Sequence, residues 1–444
     1  MTTPRTQPHT PALVHPDWCR NASIYQVNTR NFTPEGTLAA AAEHLERIRD
    51  LGPSIVWLMP VHEIGVEGRK GGLGSPYAVR DFYSVSPELG TVEDLRALVD
   101  RAHDLGLRVV LDWVGNHTSW DSVLREQHPE FYALDEDGNP QPTMWYDWDD
   151  IVDLDYNVPA VADYMVDAMT YWVREVGIDG YRCDTAGLVP TWFWARARAA
   201  LEEIKPVFML AEWESRDLHD DAFDASYGWS WNSSLHEIAM GRADLTPLRT
   251  YYAWNDKFYP RDAIRMLFVT NHDKNSWEGT EYEQFGDALE AAIVLSVVTA
   301  GIPLVYNGQE AGNDRRLDFF DRDPIQWREH RMGEFYRVLL ALKTRTRALD
   351  AGAWGGRMME VRTSDPHCVL AFARSSGPDG VLTVVNLSPH AREVELRSGP
   401  VAGRWVPLEI DAERAADLPA DGVTLEPGST ITLPAWGWTV LLRG

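Results

Sequence analysis

Between Ser23 and Leu349, short runs of β-branched and other apolar residues alternate with longer stretches whose apolar positions recur every three or four residues. That alternation is expected of repeated β/α units around a parallel sheet. Eight runs have strand length: SIYQVN (23–28), SIVWLMP (54–60), LRVVLDW (107–113), IDGYRCD (178–184), PVFMLAE (206–212), AFDASY (222–227), IRMLFVT (264–270) and IPLVYN (302–307). Helical periodicity is clearest over 37–51, 91–105, 159–176, 190–204, 283–300 and 332–349. Count and order predict an α/β fold, a (β/α)8 TIM barrel. After the third strand, residues 117–158 run through Pro, Gly, Asp and Trp without a helical period. Long excursions between barrel elements either carry function or fold as a unit, so an inserted subdomain is expected there. From Val361 onward, VLAFARS, VLTVVNLS and ITLPAWGWTVLL alternate with turn signals, the pattern of an antiparallel β-sandwich. The predicted organisation is a barrel over 1–116 and 159–349, an inserted subdomain over 117–158 and a C-terminal sandwich over 350–444.

Composition narrows the partners. The 444 residues exceed what one ordinary core organises, in keeping with several units. With 41 basic and 67 acidic residues the formal charge is −26, which excludes a nucleic-acid partner, because that affinity comes from Lys and Arg neutralising phosphates. A neutral ligand fits better. The 19 Trp exceed the needs of a core, and flat amphipathic rings suit a wet groove that grips apolar faces such as those of sugars. Cys19, Cys183 and Cys368 are too few and too far apart for a disulfide framework. The N-terminus is broken by prolines and lacks the apolar core of an export signal, and no run reaches the ~20 apolar residues of a membrane span. A soluble cytoplasmic protein without a membrane partner is the expectation.

Four segments end at the C-terminal tips of predicted strands three, four, five and seven, where barrel proteins build active sites. They are LDWVGNH (Asp112 to His117), GYRCD (Gly180 to Asp184), LAEWE (Leu210 to Glu214) and FVTNHD (Phe268 to Asp273). A lone carboxylate at a strand end is more often a helix cap or an ion-pair partner. Four such segments converging on one rim point to acid–base chemistry.

In order and spacing these segments resemble the conserved regions of the α-amylase family, glycoside hydrolase family 13. GPSIVWLMP, SPYAVRDFYSV, VDLDYN and GIPLVYNGQE extend the resemblance over essentially the whole chain. It implies that Asp184 is the nucleophile, Glu212 the general acid/base and Asp273 the third carboxylate. A retaining glycosidase needs one carboxylate to attack the anomeric carbon and a protonated one about 5 Å away to donate to the leaving oxygen. Arg182, two residues before Asp184 on a strand, faces the same interior and keeps the nucleophile ionised, whereas Glu212 must be raised by burial beside Trp213 and by its acidic neighbours. The resemblance further makes His117 and His272 the pair that bonds the sugar at the cleavage point, and Tyr77 the ring beneath it. It also nominates Arg322, in DRDPIQW, as the partner of Asp81 closing the non-reducing end.

Departures matter too. Where many endo-acting members carry Lys-His after the nucleophile, this chain has Gly187 and Leu188. No cofactor is implied. Asn116 matches the family's calcium-ligating Asn, yet one oxygen donor does not make a site that needs six to eight. MWYDWDD (Met144 to Asp150) supplies aromatics and acids for a cleft wall, or simply for a packed subdomain. Of Trp192 and Trp194, a helix start buries one and exposes the other, and the pair either frames a leaving-group subsite or packs. The expected activity is hydrolysis of α-1,4-linked glucose oligosaccharides. Glycosyl transfer or isomerisation through the same covalent intermediate, α-1,6 cleavage, and a non-catalytic binding or scaffold role are the alternatives.

Overall fold

The computed structural model describes residues 13–444. The proline-broken N-terminus, expected above to carry no export signal, lies largely outside them. Eight parallel strands close into a barrel in sequential order: β1 (Ile24–Val27), β2 (Ile55–Leu58), β3 (Arg108–Val114), β4 (Gly180–Asp184), β5 (Phe208–Ala211), β6 (Ala225–Tyr227), β7 (Ile264–Leu267) and β8 (Ile302–Tyr306). Each coincides with a predicted strand. Ile24, Ile55, Val110, Leu210, Ile264 and Leu304 fill the lumen in one cluster, while neighbours such as Tyr25, Val56 and Leu111 pack outward into the larger core. This two-sided burial explains why the strands read as continuous apolar runs. Gly180 is required where β4 meets β5: at φ 150° it sits so close to the chain that a Cβ would lie 1.9 Å from the Phe208 carbonyl oxygen.

The crossovers are α1 (Leu45–Leu51), α2 (Val92–Asp104), α3 (Pro159–Tyr171), α4 (Thr191–Glu202), α5 (Trp229–Ala239), α6 (Thr246–Phe258) and α7 (Leu289–Val298), with α8 (Arg331–Arg345) following β8. Thr91 and Asp94 form a capping box that starts α2. The stretch expected as one helix over 37–51 is split, with Leu38–Ala42 preceding α1, and the link from β5 to β6 holds only the single turn Leu218–Asp221. Two antiparallel pairs rise from the rim. Glu63–Ile64 pairs with Val79–Asp81, and His117–Ser119 pairs with Ile151–Asp153, which folds the 117–158 excursion back onto the strand tips.

Beyond the barrel, β9 (Val369–Ser376), β10 (Asp379–Asn386), β12 (Gly403–Pro407) and β14 (Trp438–Arg443) belong to one antiparallel sheet. A second sheet contains β11 (Arg392–Ser398) and β13 (Thr430–Leu433). Val369, Leu382 and Leu441 of the first sheet share a core with Val394 and Leu433 of the second, a sandwich as expected. Phe335 of α8 packs edge-on against Trp438, joining sandwich to barrel. Among the described residues no helix is long and apolar enough to cross a membrane.

Candidate active site

At the strand tips everything is arranged around one cation. On β4 the residues at i and i+2 point the same way, so Arg182 and Asp184 both face the lumen. Arg182 is fully buried. Its Nη1 donates to Asp112 Oδ1 at 2.7 Å and to Asp184 Oδ1 at 2.9 Å, and its Nε donates to the Tyr227 hydroxyl at 3.1 Å. Nη2 lies 2.9 Å from Glu212 Oε1. The rings of Trp57, Tyr77 and Tyr227 surround the guanidinium, with centroids 5.1 to 5.6 Å away. Three carboxylates therefore share one buried positive charge. A guanidinium suits this role because its planar fork stays charged and serves several acceptors at once.

Such crowding shifts protons. Burial pushes Glu212 well above the usual carboxylate range; Arg182 opposes this, while the charges of Asp184 and Asp273 reinforce it. Asp273 is pushed up to about 6, by burial first, with Arg182 opposing and the charges of Asp184 and Glu278 reinforcing. Asp112 rises to about 7, again through burial, against the pull of Arg182. Glu212 is further fixed by the backbone that follows Asp184: the Thr185 N–H donates to Glu212 Oε2 at 2.8 Å. To aim that N–H, Thr185 adopts φ 40° and ψ 43°, a left-handed conformation that costs a β-branched residue about 1–3 kcal/mol.

His272, next to Asp273, has lost its affinity for a proton through burial and the nearby Arg182. A neutral imidazole must use one nitrogen to accept and the other to donate. The Gln26 amide lies 2.7 Å from Nδ1 and the Tyr77 hydroxyl 2.6 Å from Nε2. With Gln26 donating, Nε2–H donates to Tyr77, and Tyr77 donates to Asp112 Oδ2 at 3.1 Å. The Trp57 indole also donates to Asp112, at 3.1 Å. His117, buried and likewise biased toward its neutral form by burial, closes the opposite side. Its ring lies 5.9 Å from Trp148, on which Tyr146 stacks, while Trp145 beside them is 96 % exposed.

Seven of the nine residues nominated from the sequence, Asp184, Glu212, Asp273, Arg182, His272, His117 and Tyr77, thus gather in one place. The expected pairing of Arg322 with Asp81 does not form. Asp81 Oδ1 accepts from the Tyr83 N–H at 2.9 Å, satisfying it locally, and Arg322 is exposed with its guanidinium beside Gly36. What borders the site there is aromatic: Phe319 stacks on both Tyr77 and His272, with Trp277 tilted against it. Asp321 ties this segment across to the amides of Gly72 and Leu73, each at 3.1 Å. The residues around Asn116 do not fit calcium. Its amide nitrogen donates to Thr143 and to Asp153, each at 3.0 Å, and Thr143 donates to the same Asp153, so these groups hold one another instead of turning oxygens toward a common point. Trp194 is buried, and its indole donates to the Ala186 carbonyl, whereas Trp192 is half exposed.

Gly187 proves structural: a Cβ there would lie 2.2 Å from the Trp213 ring. The indole next to Glu212 occupies the space a longer side chain would take. The sequence nominations omitted Asp112, Gln26, Trp57, Tyr227 and Phe319. Only Asp112 carried a signal, since a carboxylate within an otherwise apolar strand demands a buried cation.

Known proteins share this arrangement's frame. The catalytic-domain model of the alpha-amylase family matches residues 19–337. A solved structure, the noncanonic maltogenic alpha-amylase AmyB from Thermotoga neapolitana, is 30% identical with a TM-score of 0.84, covering 95% of this chain and 98% of its own. The intracellular maltogenic amylase of Bacillus subtilis is 26% identical over 429 residues, covering 90% of this chain and 70% of its own length. The alpha-amylase MalA of Haloarcula japonica is 26% identical over 434 residues, covering 93% of this chain, which spans only 62% of that relative's length. The chain belongs to the α-amylase family of glycoside hydrolases.

Proposed function

We propose that the chain hydrolyses α-1,4-glucosidic bonds of short maltooligosaccharides with retention of configuration. The observation that carries this is the single Arg182 guanidinium bridging Asp184 and Glu212. A shared cation supports the close spacing of retaining enzymes, about 5–5.5 Å, over the about 6.5–9.5 Å that leaves room for water in inverting ones. In this mechanism Asp184 attacks the anomeric carbon while Glu212, kept protonated by burial, gives its proton to the leaving oxygen. Glu212, now ionised, then takes a proton from the water that releases the sugar. Asp273, His272 and His117 bind the sugar hydroxyls, and their hydrogen bonds gain strength as positive charge develops on the ring. Tyr77 lies beneath the same sugar. The bridge from Asp321 to Gly72 and Leu73, together with Phe319 and Trp277, walls the non-reducing side and favours a short donor end. Support for the substrate class comes from the relatives, described as alpha-amylase and maltogenic amylase. The intracellular member from Bacillus subtilis supports a cytoplasmic site of action. Barrel, inserted subdomain and sandwich act as the three units bounded at 116/117, 158/159 and 349/350.

The test is a time course on maltotriose to maltoheptaose, with products identified by chain length and anomeric form. Shorter sugars released first as the α-anomer are expected. Products longer than the substrate would establish transfer, a single isomeric product would establish rearrangement, and initial β-anomers would refute retention.

A further inference from the structure

The link from β5 to β6 begins at Glu212 and holds one short turn, where every other crossover of the barrel holds a longer helix. The Glu212 N–H donates to the Cys183 carbonyl at 3.0 Å, but among the described residues no N–H from Trp213 to Asp217 enters a main-chain hydrogen bond. The backbone directly after Glu212 therefore depends on side chains for its position.

Glu214 supplies the hold. Its Oε2 accepts from the Ser230 N–H at 2.8 Å and from the Ser230 hydroxyl at 2.6 Å, in the first turn of α5, where a helix N-terminus favours negative charge. Its Oε1 accepts from Nη2 of Arg265, a buried residue of β7. Arg265 is itself fixed on several sides. Nη1 donates to the Ser226 hydroxyl at 2.9 Å, Nη2 donates also to the Tyr227 carbonyl at 2.6 Å, and the guanidinium lies 4.3 Å from the centre of the Tyr259 ring. The Ser226 hydroxyl lies 2.7 Å from Nε2 of His219, in the turn, so both halves of the link converge on one cation.

Tyr227 closes a circuit. Its hydroxyl accepts from Arg182 Nε, and Arg182 Nη2 lies 2.9 Å from Glu212 Oε1. Its carbonyl accepts from Arg265, which holds Glu214. The Glu212 carboxyl and the backbone two residues further on are thus both referenced to the same residue of β6. Removing Glu214 opens the circuit and strands a buried cation.

We propose that Glu214 and Arg265 are positioning residues that keep Glu212 within proton-donating reach of the leaving oxygen. The inference rests on the functional reading above, in which Glu212 is the acid.

Glu214→Ala should lower kcat on maltotriose about 10- to 100-fold and leave KM within about twofold, because an acid displaced by about 1 Å donates poorly. An aryl maltoside whose phenol leaves without a proton should keep its kcat/KM within about threefold of the parent. Glu214→Gln retains an acceptor for Arg265 and should fall between the parent and Glu214→Ala. Adding Arg265→Met to Glu214→Ala removes the stranded cation, so the double variant should melt higher than Glu214→Ala and turn over maltotriose no more slowly. It carries the test where Glu214→Ala does not fold. Equal losses on the two substrates, no loss, or losses that multiply in the double variant overturn the proposal. Glu212→Gln, assayed alongside, separates the two readings. A selective loss there with none in Glu214→Ala overturns the positioning role alone, whereas equal losses there on both substrates overturn Glu212 as the acid and the positioning role with it.

Discussion

Replacing Asp273 by Asn should stabilise the protein while disabling it, and only above a definable pH. The Asp273 carboxyl is held at about 6 against an ordinary 3.8, through burial first and the charges around it second. A raised acid favours folding below the unfolded value and withdraws that support as pH climbs through the folded one. Between pH 4 and 6 the folded chain therefore binds a proton that the unfolded chain has lost, and above 6 it carries a charge it holds at a cost. About two units at 1.36 kcal/mol each set a ceiling of about 3 kcal/mol. The side chain is 33% exposed, so solvent screening reduces this to about 1–2 kcal/mol. Asn meets little opposition there: the ion-pair contact of the carboxylate is His272 Nε2 at 3.4 Å, whose hydrogen the Tyr77 hydroxyl already takes. Unfolding entropy of about 2.1 cal/mol/K per residue over 444 residues comes to about 0.9 kcal/mol/K, so the midpoint should rise by about 1–2 °C at pH 8 and by nothing at pH 4. Scanning calorimetry of both proteins from pH 4 to 8 measures this, alongside at least a roughly 100-fold fall in kcat on maltotriose. An equal gain at pH 4, or none at pH 8, would refute the claim that Asp273 is held ionised at a cost.

Glu212→Gln should lose about 10²–10⁴ in rate on maltosides, with the glycosylation step largely restored for aryl maltosides whose leaving phenol needs no proton; equal losses on both substrates would remove Glu212 as the acid. Gly187→Ala should destabilise by about 1–3 kcal/mol because its Cβ collides with the Trp213 ring, and a double-mutant cycle with Trp213→Ala should recover most of that loss. Thr185→Gly should melt no lower than the parent, since glycine accepts a φ of 40° without strain; a clear drop in midpoint would show that Thr185 is not strained there.

The barrel was legible because its strands are buried on both faces, which writes them as unbroken apolar runs. α5 and α6 were not. Their stretch opens with Trp, Ser and Asn, residues of modest helix propensity, and tertiary packing of Trp231, Leu235 and Leu248 decides the outcome. In the site, residues on strands or directly at their tips could be placed from motif and register. The Asp81–Arg322 pair failed because it joins two excursions whose approach depends on local loop geometry. There a backbone N–H two residues away satisfied Asp81 first. Gln26 and Phe319 were invisible for a related reason: each reaches the site by contact with His272, to which no sequence spacing connects it.

The Thr185 peptide has a mechanical implication. It belongs to the residue directly after Asp184 and grips Glu212 by its N–H, so the tips of β4 and β5 are yoked. Breathing of either strand carries both carboxyl groups together and preserves the gap between them. The carboxyl spacing proposed above is then held in part by a main-chain N–H, and loops around the rim can diversify for new substrates without retuning it.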